Sequence, residues 1–289
     1  MPSLSLTSAP DALRADAAKR WTTTPDTDPA PGQLWLLSWD GAAPVAALLT
    51  AVRSTYVLAM PVTFDPAAAS DGEAITNAER LGTPLVIWHR LETGLGSFLL
   101  HRYIGDVATA DDVTALRRGH RGEKVTRYDA GAGNDTTTLR ELVNTFARLC
   151  NIEWPSEADG DAVVDTEALT AARVTPRLFA ERTGLPTATA LALWTNELTL
   201  TAEQARIVTD AFAGTVEHAL SVPNDWITTS LADPRVKDGV LQVAEHTSSG
   251  ERAARDLVRS SFALAARTPS VAEQRRSAIR DAIALLLQD

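Results

Sequence analysis

The chain predicts an α+β fold, a small β-barrel followed by an all-helical domain. Three observations carry this expectation. Residues 32–107 hold five short apolar runs separated by Gly, Asp and Pro, the texture of strands joined by turns. From Thr136 onward, apolar residues recur every three to four positions, the period of amphipathic helices. The 289 residues suffice for two domains of ordinary size, and an apolar content of 45% supplies a core.

Residues 1–31 read as an N-terminal extension, with a short helix over Asp11–Trp21 and then the Pro-rich linker TTTPDTDPAPG. Residues 32–116 form the expected barrel. Its strands are GQLWLLSW, PVAALLTAV, YVLAMPVTF, PLVIWHRL and SFLLHRYIGDV, followed by the short helix DDVTALRR. Trp35, Trp39 and Trp88 lie within strands and are expected in the core. His89 and His101 alternate with apolar neighbours and are expected at the surface or rim. Residues 117–135, RRGHRGEKVTRYDAGAGND, read as a linker, basic and then Gly-rich. Arg117, Arg118, Arg121, Lys124 and Arg127 give the chain its densest positive charge and are candidate phosphate contacts. The glycines do not form a phosphate-binding loop, since no GKS or GKT follows.

Residues 136–289 read as the helical domain. TTLRELVNTFARLC places Leu139, Leu142, Val143, Phe146 and Leu149 on one face, with Cys150 expected as a small core residue. A helix is expected near Asp165–Arg173. Thr175-Pro176 then starts another, because Thr caps free N–H groups and Pro fits the first helical turn. Gly184 ends it, and Pro186-Thr187 opens the next, with Ala190, Leu191 and Trp194 as apolar positions. Thr201-Ala-Glu-Gln204 is a capping-box pattern leading into Ala205, Val208 and Phe212. Further on, Asp233-Pro234 breaks two helices. Arg252, Arg255 and Arg259 form a stripe that either meets DNA backbone or, as is more common, pairs within the helix with Glu251 and Asp256. The last helix carries Ala272, Ile279, Ile283, Leu286 and Leu287, a stripe that either packs on its own domain or pairs two protomers.

Two short helices joined by a Gly-containing turn form the unit that places a recognition helix in the major groove. Leu178-Phe179-Ala180 with Thr183-Gly184-Leu185, then Trp194-Thr195-Asn196-Glu197 and Leu200-Thr-x-Glu-Gln-Ala205, resembles the lambda-repressor-like, or XRE, helix-turn-helix family over about residues 165–213. The resemblance implies a sequence-specific transcriptional regulator that binds double-stranded DNA as a homodimer. On it, Thr187, Thr189 and Asn196 face the groove, while Arg173, Arg177 and Arg182 contact phosphates. The sequence departs from the pattern in one respect. Residues 186–195, PTATALALWT, carry only Thr as polar groups, where base readers are usually Arg, Lys, Gln or Asn.

Gly32-Gln-Leu-Trp35, Val57-Leu-Ala-Met-Pro-Val-Thr63 and Arg102-Tyr-Ile-Gly-Asp-Val107 together resemble the PemK/MazF-type toxin barrel, an SH3-like fold. In that family an Arg after the first hairpin and a Thr after the Pro-containing strand serve ribonuclease chemistry. Thr63 matches the second, but Ala43, before Pro44, stands where the Arg would be. A phosphate-cleaving site needs a cation for the developing charge, so ribonuclease activity is not expected and the chain is not read as an enzyme. The barrel is then a sensor or a module for a protein partner, and the two resemblances imply a toxin–antitoxin or phage-defence setting. Two alternatives stand beside this reading. One is a catalytically altered or inactive toxin fused to a regulatory domain, with Arg53, Arg90 or Arg102 as a displaced cation. The other is an interaction scaffold that binds no nucleic acid.

Composition narrows the field. A net charge of −10 and a pI near 5.0 argue against broad nucleic-acid coating, which needs a positive field. One cysteine excludes a disulfide framework. Five scattered histidines without ligand spacing give no metal site, and no catalytic residue or cofactor is expected. The sequence shows neither a signal peptide nor a membrane-length apolar run, so a cytoplasmic location is expected.

Overall fold

The computed structural model describes residues 4–40, 42, 44–53, 55–122, 128–131, 136–155, 162–195, 198, 200–216, 218–221, 226–262 and 272–288. The fold is mixed α+β, an N-terminal antiparallel sheet followed by a mostly helical region. The chain divides into two compact units. Residues 1–152 and 226–289 form one, and residues 153–225 form the other. The helices after residue 225 therefore belong with the sheet, whereas the sequence pattern grouped them with the helix-turn-helix stretch. Helical periodicity reports that a helix has an apolar face, not which partner covers it.

In the first unit, β1 (Gln33–Leu37), β2 (Val45–Val52) and β3 (Tyr56–Thr63) form an antiparallel meander, with Leu34 opposite Leu48 and Leu48 opposite Met60. β3 is long enough to serve two partners. Tyr56–Ala59 pair with β6 (Thr93–Gly96), and Val62–Thr63 pair with β5 (Thr83–Ile87). The sheet runs β7-β1-β2-β3-β5-β4-β8, where β4 is Ala74–Ala78, β7 is Leu100–Asp106 and β8 is Asp129–Ala130. This path has two ends, so the hydrogen-bonded strands do not close on themselves among the described residues. Gly32 lets the first strand enter, because a side chain there would collide with the Ala108 carbonyl oxygen at 2.1 Å.

β1 and β2 are buried along nearly their whole length. A sheet covered on both faces selects continuous apolar runs rather than alternation, which is why QLWLL and VAALLTAV read as they do. One face supplies Leu34, Leu36, Ala46, Leu48, Met60 and Val62 to a core completed by Leu13, Ala17 and Trp21. The last two belong to α1 (Ala15–Thr22), and Leu116 of α2 (Ala110–His120) joins the same core. α2 starts with a capping box in which Thr109 and Asp112 satisfy each other's backbone N–H. It runs on to His120, so Arg117 and Arg118 stand on a helix rather than in a linker. α3 (Thr136–Cys150) buries Leu142, Phe146 and Leu149 but leaves Val143 exposed.

Four helices close this unit: α8 (Trp226–Leu231), α9 (Lys237–His246), α10 (Glu251–Phe262) and α11 (Ala272–Leu286). The apolar stripe of α11 is used within the unit, since Ile279 and Ile283 are buried and Ile283 packs on Gly239.

The second unit contains α4 (Thr166–Ala171), α5 (Pro176–Thr183), α6 (Thr187–Trp194) and α7 (Ala202–Phe212), plus a two-stranded ribbon of β9 (Val163–Val164) and β10 (Leu220–Ser221). Thr175 caps α5 and Thr201 caps α7 in a reciprocal box with Gln204. Gly184 takes the left-handed conformation at φ 65°, which costs a residue without a Cβ little. Phe179 of α5 stacks on Phe212 of α7 at 5.7 Å and meets Trp194 of α6 edge-on at 5.5 Å, so three helices share one aromatic core.

Candidate functional site

Two places collect polar or exposed residues beyond what packing requires. The first is the outer surface of α5 and α6 in the second unit. Ala190 and Leu193 point into the core, while Thr187, Ala188, Leu191 and Thr195 are exposed. Thr187, Leu191 and Thr195 are spaced four residues apart and form one stripe. Leu191 is 53% exposed and Leu198, just beyond the helix, is 51% exposed. Thr195 turns its hydroxyl back to the Leu191 carbonyl at 3.0 Å.

The other sequence-predicted residues are dispersed in role. Thr189 is half-buried on α6, and Asn196 lies outside the described residues. Arg177 is exposed and pairs with Glu181 one turn on at 2.9 Å. Arg182 donates to Thr215 at 3.0 Å and lies 5.5 Å over the Phe212 ring. Arg173 is exposed at the end of α4, with φ 63°. Residues 153–225 hold twelve Asp or Glu, four Arg and no Lys, a net charge of −8. Most of the chain's net charge of −10 is thus in this unit.

In the first unit, Arg117 pairs with Glu92 at 3.0 Å, Arg118 and Arg121 are exposed, and Lys124 and Arg127 lie outside the described residues. Thr63 is buried, and its hydroxyl accepts the Trp88 indole N–H at 3.1 Å. Arg102 is three strands away on β7, Arg53 is bonded to the backbone of Val52, and Arg90 approaches Glu73. Cys150, expected in the core, is exposed, with its sulfur 3.1 Å from the Thr93 hydroxyl. Trp39 lies beyond the end of β1 and is half-buried rather than a core strand residue.

The second collection is a charged seam where α9 and α10 meet the strand ends, and the sequence reading missed it. Lys237 is wholly buried. Its ammonium donates to the carbonyls of Ser38 at 2.6 Å and Phe98 at 2.9 Å, and reaches Glu251 at 3.2 Å. Three acceptors match its three N–H bonds. Burial pushes its pKa down to about 7, against the opposing pull of Glu251. Glu251 also receives Arg255 at 2.7 Å and the backbone N–H of Asp40 at 3.0 Å. Burial alone would raise its pKa, but the Lys237 and Arg255 charges outweigh that and lower it. Asp40 returns the bond, its carboxylate accepting the Glu251 N–H at 2.9 Å. Lys237 and Arg255 both lie over the Trp39 indole, at 5.8 and 5.6 Å.

Beside them, Asp238 takes a bidentate pair from Arg102 at 2.7 and 2.9 Å and a bond from His101 Nε2 at 3.0 Å. Thr24 donates to the same carboxylate. Burial raises the Asp238 pKa, but the bonds from His101, Arg102 and Thr24 win and hold it well below the carboxylate range. His101 is buried, contrary to the surface or rim position expected of it, and so is His89, which lies 3.1 Å from Glu73. His101 Nδ1 faces the Ser38 hydroxyl at 2.7 Å. The alternation that suggested exposure fails because both faces of the sheet are covered. The signals in the sequence were Lys237 at the start of the amphipathic segment VKDGVLQVAEH and the one-turn spacing of Glu251 and Arg255.

The structure thus defines a mixed α+β protein with a charged seam in its sheet-bearing unit and a short three-helix arrangement with exposed leucines in its smaller unit. No protein-family model, no curated protein and no solved structure matches the chain. Among the described residues, no cluster of His, Cys, Asp or Glu is placed to hold a metal, and no helix is long and apolar enough to cross a membrane.

Proposed function

We propose that the protein is a non-enzymatic regulator that uses a helix-turn-helix-like unit to contact another protein. The observation that carries this is the outward face of α6. That face presents Leu191 between Thr187 and Thr195, with Leu198 beyond, on a unit of net charge −8. A helix entering the major groove needs donors or acceptors for base edges and cations for phosphate. Exposed leucines on a unit of strong net negative charge instead suit a partner with an apolar strip flanked by Lys and Arg. In this reading the sheet-bearing unit is an SH3-like barrel acting as scaffold or sensor. The Thr63 hydroxyl is committed to Trp88, which supports the non-catalytic reading.

The test uses a panel of Lys/Arg-bearing amphipathic helical peptides. Binding that falls as salt rises, and that Leu191→Asp removes, is the expected result. Binding of selected genomic DNA fragments at near-physiological salt, without peptide binding, overturns it.

DNA recognition by a homodimer is the second reading. The Gly184 turn between two capped helices favours it, as do the exposed Arg173 and Arg177. On that reading Arg177→Ala weakens DNA binding and flattens its salt dependence.

A further inference from the structure

The charged seam between α9–α10 and the strand ends has an arrangement beyond what simple adhesion requires. His101 sits at its centre and is faced from every side by polar or charged groups. Ser38 comes from the end of β1, Arg102 from β7, and Lys237 and Asp238 from α9. Glu251 and Arg255 of α10 lie behind Lys237, with Asp40 at the rim, and Thr24, just past α1, holds Asp238.

The hydrogen bonds fix the ring's state. Asp238 is a carboxylate held by Arg102, so His101 Nε2 carries a proton and donates to it. Nδ1 is then bare and accepts from the Ser38 hydroxyl. The seam holds three basic groups, Lys237, Arg102 and Arg255, with Lys237 gaining its charge as pH falls through about 7, against two anions, the buried Glu251 and the half-exposed Asp238, with Asp40 exposed at the rim. A proton on Nδ1 would force the Ser38 hydroxyl to turn away. It would also add a fourth cation to a buried cluster already rich in positive charge.

We propose that this seam is an acid-sensitive latch, in which protonation of His101 loosens α9 and α10 from the ends of β1 and β7. The sign follows from the ring's environment. Burial lowers the His101 pKa from 6.5, and Lys237 and Arg102 add to this while Asp238 opposes it. A group that prefers to be neutral when folded contributes fully above its ordinary pKa. That contribution is lost as pH falls from 6.5 toward the lowered value. The loss begins above the range where ordinary carboxylates titrate.

The experiment is hydrogen exchange of the full chain between pH 7.5 and 5.5, corrected for the intrinsic pH dependence of exchange. The expected result is that protection of amides 237–262 falls several-fold, up to about tenfold, relative to amides 33–63, a difference that His101→Gln abolishes. Parallel loss in both regions, no loss, or an unchanged response in His101→Gln overturns the latch. Should His101→Gln fail to fold, NMR titration of the wild-type imidazole decides. A midpoint below 6.5 accompanied by the selective loss supports the latch, and a midpoint at or above 6.5 overturns it.

Discussion

Glu251→Gln is the most informative single perturbation of the sheet-bearing unit. The carboxylate is fully buried and serves two buried cations, Lys237 at 3.2 Å and Arg255 at 2.7 Å, while also accepting the Asp40 N–H. The amide keeps the shape and one acceptor oxygen but removes the negative charge that both cations share. Breaking a buried ion pair from one side costs about 3–5 kcal/mol, because the remaining charge stays desolvated. In a unit of this size that lowers the melting temperature by about 6–20 °C. Lys237→Met sets the comparison. It leaves Glu251 and Arg255 as a balanced, hydrogen-bonded pair and also removes the cost of burying an ammonium. Against this, the Ser38 carbonyl loses its Lys237 donor, a loss of about 1–3 kcal/mol that the gain partly offsets. The expected order is therefore a large loss for Glu251→Gln and a small one for Lys237→Met, read by thermal denaturation followed by circular dichroism. A Lys237→Met protein that melts as low as Glu251→Gln would refute the charge count. It would mean that the amine's bonds to the strand ends, not electrostatic balance, hold the seam.

Three further outcomes are expected. Thr63→Val keeps the volume but leaves the Trp88 indole N–H unpaired in the core, costing about 1–3 kcal/mol in urea unfolding, with no change in an RNA-degradation assay. RNA cleavage by the wild type that Thr63→Val abolishes would instead restore a catalytic role. Gly184→Ala forces a Cβ into a left-handed turn and costs about 1–2 kcal/mol, measured as the stability of residues 153–225 by hydrogen exchange. Arg177→Ala removes only a solvent-exposed pair with Glu181, so stability measured by thermal denaturation stays unchanged.

The local elements were largely legible in the sequence. Thr175, Gly184 and Thr201 mark the ends of α5 and α7 through cap chemistry that acts within four residues, so no tertiary knowledge is needed to read them. The apolar runs of β1, β2 and β3 were legible for a similar reason. β4 and β6 were not, because AITNA and TGLG are short and carry polar or Gly residues that β-propensity does not favour. Most of the charged seam was illegible, since the bonds that join α9 and α10 to the strands and to Thr24 span 136 to 214 residues of sequence. Glu251 with Arg255 was the exception, being one helical turn apart, and the pair was expected from spacing alone. What spacing could not reveal is that this pair is buried, or that Lys237 joins it.

The same contrast bears on the smaller unit. Caps, turn and aromatic core are set by local chemistry, and they build a three-helix arrangement whatever its outer face displays. The partner is selected by that outer face. Of the four arginines in residues 153–225, Arg177 is paired with Glu181, Arg206 lies 3.8 Å from Asp210, and Arg182 is spread over Phe212. A phosphate contact would have to compete with each of these partners and with a net charge of −8. On the proposed reading a protein partner with basic flanks is attracted by the net charge that repels phosphate, and Leu191 supplies apolar area that DNA would leave poorly used. The helical scaffold is compatible with either ligand, and the net charge of the unit and the apolarity of its exposed stripe favour the protein.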